Sequence, residues 1–286
     1  MFVVAGVTGN TGSVVAQTLL DRKQPIRVIV RTADKGAAWK AKGAEIAVAS
    51  LDDAQALTRA FEGARGAYLL VPPNYAATSY LDDRKKVADA LAKAVKASGL
   101  GHVVFLSSVG AHLPDGTGPI RVVRYGEQQL GAAAKNLTIL RPPSFYENWQ
   151  PVLGTAKAQG VLPSFIAPDR KIAMISTRDI GRIAAEQLVA GDRSRKVLEL
   201  SGPEDYSPND VASALGKILE QAITVQHAPL GAVVPTYKSF GFSDDAARLF
   251  EEMYAGFAQG RIDFERKGAT HVHGKVTLAE ALARFV

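Results

Sequence analysis

Met1-Phe-Val-Val-Ala-Gly-Val-Thr-Gly-Asn-Thr-Gly12 opens the chain and decides how the rest of it is read. Phe2 to Ala5 are apolar and β-prone, the pattern of a strand buried on both faces of a parallel sheet. Glycines follow at 6, 9 and 12, and the period then changes: Val14, Val15, Leu19 and Leu20 recur at helical spacing up to Asp21. Strand, glycine turn and helix within about twenty residues are the start of a βαβ unit. In such a turn Gly6 lets the chain reverse, Gly9 admits a phosphate to the backbone, and Gly12 lets helix and strand pack closely. The spacing is G-x-x-G-x-x-G rather than G-x-G-x-x-G. With a strand before, a helix after and a second strand on cue, it points to dinucleotide binding rather than an ordinary tight turn.

Working outward, Arg27 to Val30 reads as strand two, with Arg31 at its tip and Lys35 one helical turn on. An acid at that tip suits the 2′-hydroxyl of NAD, whereas a base suits the 2′-phosphate of NADP, so NADP(H) is expected. Glu45 to Ala49 reads as strand three; Leu51 and Asp52 fall where an adenine ring would lie, and Asp52 is also a helix-cap candidate. Gly66 to Val71 is strand four, broken by Pro72-Pro73, a turn placed as a cofactor wall. Leu81 to Ala97 is an amphipathic helix stopped by Gly99. His102 to Leu106 is strand five, ending in Ser107-Ser108, and Leu137 to Leu140 is strand six, ending in Arg141-Pro-Pro-Ser-Phe-Tyr-Glu-Asn148.

Strands alternating with helices predict an α/β doubly wound parallel sheet over residues 1–150. Residues 151–286 read as a smaller mixed lobe packed on it, partly continuous with it, since no linker or repeat intervenes. Val197 to Leu200 is a candidate seventh strand, and helices are expected from Thr177, over Pro208–Leu219, Asp244–Phe257 and Leu278–Phe285. Asp179 sits in the first turn of the helix from Thr177, where a carboxylate suits the dipole.

Composition narrows the function. The chain has 286 residues and no cysteine, which excludes disulfides, thiolate catalysis and cysteine-ligated metals. Its net charge of +6 comes from scattered bases; Arg84-Lys85-Lys86 and Arg193-Ser-Arg-Lys196 read as solvated surface, and no nucleic-acid partner is expected. No apolar run reaches spanning length, and strand one begins at residue 2, so a cytoplasmic protein off the membrane is expected, as monomer or homodimer. His271 and His273 lack nearby acids or a third histidine for a metal site.

Gly6-Val-Thr-Gly-Asn-Thr-Gly12, Val30-Arg31, Leu106-Ser-Ser108, Thr138-Ile-Leu-Arg-Pro142 with Phe145-Tyr-Glu-Asn148, and Ile175-Ser-Thr-Arg-Asp-Ile-Gly181 together resemble the NmrA-like branch of the atypical short-chain dehydrogenases, over nearly the whole chain. The resemblance implies an NADP(H)-preferring reductase of quinones, azo compounds or dyes, or a redox sensor that binds the cofactor and a protein partner. It departs from typical short-chain dehydrogenases at their Tyr-x-x-x-Lys: Tyr125 is followed four residues on by Gln129. Placing Glu127 on the family's helix glutamate puts Pro119 and Val123 at the tyrosine and lysine positions, so the carbonyl-reducing triad is missing.

The residues expected around the cofactor are Gly6, Thr8, Gly9, Asn10, Thr11, Gly12, Arg31, Lys35, Leu51, Asp52, Val71, Pro72, Pro73, Ser107, Ser108, Pro143 and Phe145. Tyr146 and Ser107 are the expected catalytic groups. Tyr75, Phe145, Tyr146, Tyr237 and Phe240 are expected to line a small-molecule acceptor pocket, with core packing the alternative role for each.

Overall fold

A computed structural model describes residues 1–191 and 194–286, so Arg193 of the basic run lies outside the described residues. The first half alternates strand and helix: β1 (Phe2–Val4), α1 (Asn10–Asp21), β2 (Ile26–Val30), α2 (Ala37–Ala41), β3 (Glu45–Val48), α3 (Ala54–Phe61), β4 (Gly66–Leu70), α4 (Tyr80–Ser98), β5 (Val103–Leu106), α5 (Ile120–Ala133) and β6 (Leu137–Arg141). The second half adds β7 (Ser144–Phe145), α6 (Gln150–Gln159), β8 (Val161–Ser164), β9 (Ile172–Ile175), α7 (Thr177–Ala190), β10 (Arg195–Ser201), β11 (Asp205–Tyr206) and α8 (Pro208–Leu219). It ends with β12 (Thr224–His227), α9 (Val233–Ser239), α10 (Asp244–Ala258), β13 (Thr270–His273) and α11 (Leu278–Leu282).

Among the described residues, eight strands form one parallel sheet in the order β3-β2-β1-β4-β5-β6-β10-β13. The strand order reverses beside β1, between β2 and β4, the point at which doubly wound sheets characteristically open a crevice at the carboxyl ends of their strands. Strand periodicity sorts β1 onto two faces: Phe2 and Val4 join Val15, Leu19, Ile180 and Ile183 of α1 and α7, whereas Val3 and Ala5 join Leu57, Leu91 and Leu130 of α3, α4 and α5. Helix α7 approaches α1 closely because Gly181 has no side chain; a Cβ there would lie 2.5 Å from Cβ of Val14. The Arg-Asp-Ile-Gly segment thus clamps the second half of the chain to the helix behind the glycine turn.

β10 and β13, both from the second half, complete the sheet. Thr270-His-Val-His273 was not among the expected strands: an edge strand with one neighbour needs no continuous apolar run, and its two histidines are exposed. The remaining strands are short. β9 pairs with β7 and β11, and β8 with β12, over a core of Trp149, Leu153, Met174, Val211, Leu215 and Leu282. The α9–α10 hairpin lies across the loops that follow β4 and β5. The Ser243 amide donates to the Tyr75 carbonyl (2.8 Å), the Tyr80 amide to Asp245 (2.8 Å) and the Gly118 amide to Glu252 (3.2 Å). Among the described residues, no helix is long and apolar enough to cross a membrane.

Candidate active site

Because the sheet is parallel, β1 to β6 deliver their carboxyl ends to one edge, and the expected residues divide there into an open part and a packed part. At the open part β1 turns through Gly6, held at φ +69°, into α1. The Gly9 amide donates to the Gly6 carbonyl at 2.9 Å and Gly9 caps α1, so no side chain occupies the cap, and no acid stands in the first turn. The amides at the start of α1 are left for a ligand. A Cβ on Gly12 would lie 2.4 Å from the Gly6 carbonyl oxygen, so only glycine permits this approach of helix to strand. A Cβ on Gly9 would meet only that oxygen, at 3.4 Å, and otherwise point into open space. A bare backbone cradle with a positive helix end fits a pyrophosphate. Thr8, Gly9 and Asn10 are exposed there. The Thr11 hydroxyl is spent on the core, accepting from the Tyr68 hydroxyl at 2.9 Å.

Arg31 and Lys35 stand exposed past the tip of β2. The neighbouring Asp34 carboxyl is held below the usual carboxylate range, first by the Thr32 hydroxyl. Beyond β3 the cap of α3 is Asp53, not Asp52: Asp53 Oδ1 accepts from the amides of Gln55 and Ala56, each at 3.0 Å. Asp52 is left exposed beside half-buried Leu51. The Val71-Pro72-Pro73 turn is clamped from below, since Arg84 Nη1 donates to the Pro72 carbonyl at 2.9 Å. Asp83 holds Arg84 and accepts from Asn74 Nδ2 at 3.0 Å. Arg84, Asp83 and Asn74 escaped the sequence reading; a basic triplet on an amphipathic helix looks like solvated surface until the loop it reaches is known.

The packed part begins one residue past β5. Ser107 Oγ donates to Glu127 Oε1 at 2.5 Å. Arg141, at the end of β6, grips both oxygens of Glu127, Nε to Oε1 at 2.8 Å and Nη2 to Oε2 at 2.7 Å. Its Nη1 reaches Glu265 at 2.5 Å. Glu199, buried on β10, accepts the amides of Glu265 and Arg266 at 2.6 and 3.0 Å and so fixes that loop. Burial alone would lower the Arg141 pKa, but the two carboxylates outweigh it and raise it. Ser108 is half-buried, with its hydroxyl on the Val109 carbonyl at 3.0 Å; Pro143 is buried, and Phe145 is half-buried against the β1 face of the core. The roles of Glu199 and Glu265 were missed. A lone acid inside Val197-Leu-Glu-Leu200 was the available signal, because such a residue in an apolar strand must have partners.

The aromatic residues take other places. Tyr146 is fully buried; among the described residues its hydroxyl makes no well-formed hydrogen bond and has the Tyr206 phenol as its polar neighbour, and a Cβ on Gly202 would lie 2.4 Å from the Tyr146 hydroxyl. Burial pushes this phenol well above the usual tyrosine range. Tyr125 spans two helices, donating to Asp89 of α4 at 2.8 Å. Tyr75 stacks on Phe242 with ring centroids 4.1 Å apart, and the Tyr237 and Tyr254 hydroxyls meet at 2.9 Å, so Tyr75 and Tyr237 build the hairpin's interior. Phe240 is 65% exposed. His271 Nε2 and His273 Nδ1 each lie 2.9 Å from Ser201 Oγ at the sheet edge; burial, then His273, holds the His271 imidazole below the usual histidine range.

Two motif acids prove to be fasteners. Glu147 pins the start of α7, whose cap is Ser176, by accepting from the Thr177 amide (3.1 Å) and hydroxyl (2.7 Å). Asp179 accepts the amides of Lys275 and Val276, each at 2.8 Å, which ties α7 to the loop after β13; this is a larger task than the dipole role expected of it.

The family model described as NmrA-like matches residues 1–270. The chain belongs to the NmrA-like family. This NmrA-like chain is 26% identical over 260 residues to the NAD(P)H azoreductase of Xenophilus azovorans, covering 89% of the chain and 86% of the relative. It is 26% identical to quinone oxidoreductase 2 of Escherichia coli K12, covering 100% of the chain and 98% of that protein. A solved structure of the Escherichia coli NADPH-dependent quinone oxidoreductase with NADPH superposes with a TM-score of 0.82 at 25% identity, covering 99% of each chain. The NmrA-like chain accordingly has the Rossmann-type α/β fold expected from its first dozen residues.

Proposed function

We propose that the chain is an NADPH-dependent oxidoreductase that passes hydride to a conjugated acceptor, a quinone or an azo or dye-like compound, without a Ser-Tyr-Lys triad. The observation that carries this reading is the side-chain-free cradle at the start of α1 beside the exposed pair Arg31 and Lys35. The similarity to an azoreductase and a quinone oxidoreductase supports the class of acceptor.

In this reading the amides around Gly9 to Gly12 hold the pyrophosphate, Arg31 and Lys35 take the 2′-phosphate, and Leu51 and Asp52 border the adenine. Val71, Pro72 and Pro73 form a wall whose position Arg84 fixes. Ser107, Ser108, Pro143 and Phe145 border the nicotinamide end. A bound NADPH supplies the hydride. Tyr125 and Tyr146 are assigned no proton transfer, the first because Asp89 holds its hydroxyl, the second because it is sealed in the lobe core. A conjugated acceptor needs neither, since the incoming charge spreads over its π-system and water completes protonation. The protein's task is then to hold two planar groups in register, which is proximity catalysis. Phe145 and exposed Phe240 are the apolar surfaces left for the acceptor, under a roof braced by Tyr75 and Tyr237.

NADPH oxidation against a panel of quinones, azo dyes and aldehydes tests the reading. Turnover of quinones or azo compounds with little on aldehydes is expected. Comparable turnover of aldehydes would overturn the triad-free mechanism. Tight NADPH binding with no turnover on any acceptor would replace the enzyme with a redox sensor.

A further inference from the structure

We propose that Glu127, backed by Arg141, is a positioning residue that locks Ser107 as a hydrogen-bond acceptor, and that the donor Ser107 receives is the carboxamide N–H of the nicotinamide. This rests on the cofactor reading above. A serine hydroxyl has one proton and two lone pairs. The Ser107 proton is committed to Glu127 Oε1 at 2.5 Å. That carboxylate, gripped on both oxygens by Arg141, can only accept. Ser107 is 5% and Arg141 6% exposed, so swinging the hydroxyl away would strip a hydrogen bond from a charge with little access to water. The rotor is fixed.

Ser107 stands at the carboxyl end of β5, between the ends of β4 and β6, on the edge that holds the crevice. Among the described residues, no donor reaches its lone pairs. It therefore repels a carbonyl oxygen and favours an N–H. A serine that stabilises a developing oxyanion must do the opposite and donate. The carboxamide is the part of the nicotinamide ring that carries N–H groups. Glu127 Oε1 takes both the serine proton and Arg141 Nε, so Glu127→Gln can keep its oxygen there and leave the serine locked, whereas Glu127→Ala removes the acceptor and frees the serine proton to donate.

The test is calorimetric titration of the full chain with NADPH and with reduced 3-acetylpyridine adenine dinucleotide phosphate, in which a methyl replaces the carboxamide NH₂. The unmutated protein is expected to favour NADPH by about five- to tenfold, the ratio that one net hydrogen bond supports. Ser107→Ala and Glu127→Ala should each bring the ratio to about one, and the double variant no further, while Tyr125→Phe preserves it. The ratio is insensitive to a loosened fold, which would weaken both ligands alike. Should Glu127→Ala fail to fold, Arg141→Lys keeps the charge, loses the two-pronged grip, and should lower the ratio part-way. A ratio near one in the unmutated protein, or one unchanged by Ser107→Ala, overturns the assignment while NADPH binding stands. Failure to bind either dinucleotide overturns the cofactor reading beneath it.

Discussion

The two ends of the crevice work by opposite means. Around Gly6, Gly9 and Gly12 the site is built by removing side chains, so that backbone amides and a helix end face outward. Around Ser107, Glu127, Arg141 and Glu265 it is built by adding charge and burying it, with every polar group aimed at another. The first arrangement has space and few internal partners; the second has partners and little space. A phosphate brings its own charge and needs only donors. A neutral ring brings little charge, and its orientation depends on side chains that do not move. Substitutions that fill only the open space should therefore change binding, and those at the packed end should change stability as well.

The largest effect is expected within the cradle. Gly9→Val should weaken NADPH binding by more than about a hundredfold while circular dichroism stays native. The backbone there, at φ −105° and ψ 179°, is one a β-branched residue readily adopts, and its side chain would fill only the open space in front of the cradle. Gly12→Val should instead lose the fold, since its Cβ would meet the carbonyls of Gly6 and Ala5 at 2.4 and 2.6 Å. If both variants bound NADPH normally, the phosphate site would lie elsewhere. At the packed end, Arg141→Met leaves Glu127 buried without its cation and should cost about 3–5 kcal/mol in urea unfolding. An unshifted midpoint would mean that these charges reach water, and the contrast between the two ends would collapse.

Smaller effects sharpen the comparison. Arg31→Ala should erase about ten- to a hundredfold of the preference for NADPH over NADH, the worth of one charge-assisted contact. Lys35→Ala should erase less, because its ammonium is a flexible point charge. Equal affinities of the unmutated protein for both dinucleotides, by calorimetry at one salt concentration, would remove Arg31 from the site. The smallest effect belongs to the phenols. Tyr125→Phe and Tyr146→Phe should keep quinone turnover within about twofold, far from the 10²–10⁴-fold of a catalytic acid. Tyr146→Phe should change the melting temperature little, because the buried hydroxyl it deletes makes no well-formed hydrogen bond. A loss of turnover in either variant, with NADPH affinity intact, would restore a tyrosine to the chemistry.

The contrast also explains what could be read from the sequence. Phe2 to Leu20 announces itself because strand, turn and helix lie within one short stretch and each glycine has a local steric reason. The packed end is contributed by positions 107, 127, 141, 199 and 265, and no local pattern ties a glutamate on one helix to an arginine at the end of the following strand. Tyr146 looked functional because it follows a strand at the ligand edge. Its immersion in the lobe core depends on Met174, Tyr206 and Gly202, all remote in the chain. Asp52 and Asp53 show the residual ambiguity at short range, since either has the chemistry of a cap and only the turn geometry selects the second.

The place of β10 between β6 and β13 bears on how the molecule comes apart. A fragment ending at Gln150 would leave β6 as a bare edge and strip α7 from α1, exposing a strip of apolar surface along the helix behind the glycine turn. Such a piece is expected to aggregate rather than fold. Hydrogen exchange in the intact chain should accordingly find the amides of α1 and α7 opening as one cooperative unit, although one begins at Asn10 and the other at Thr177, with a ligand on the first protecting the second.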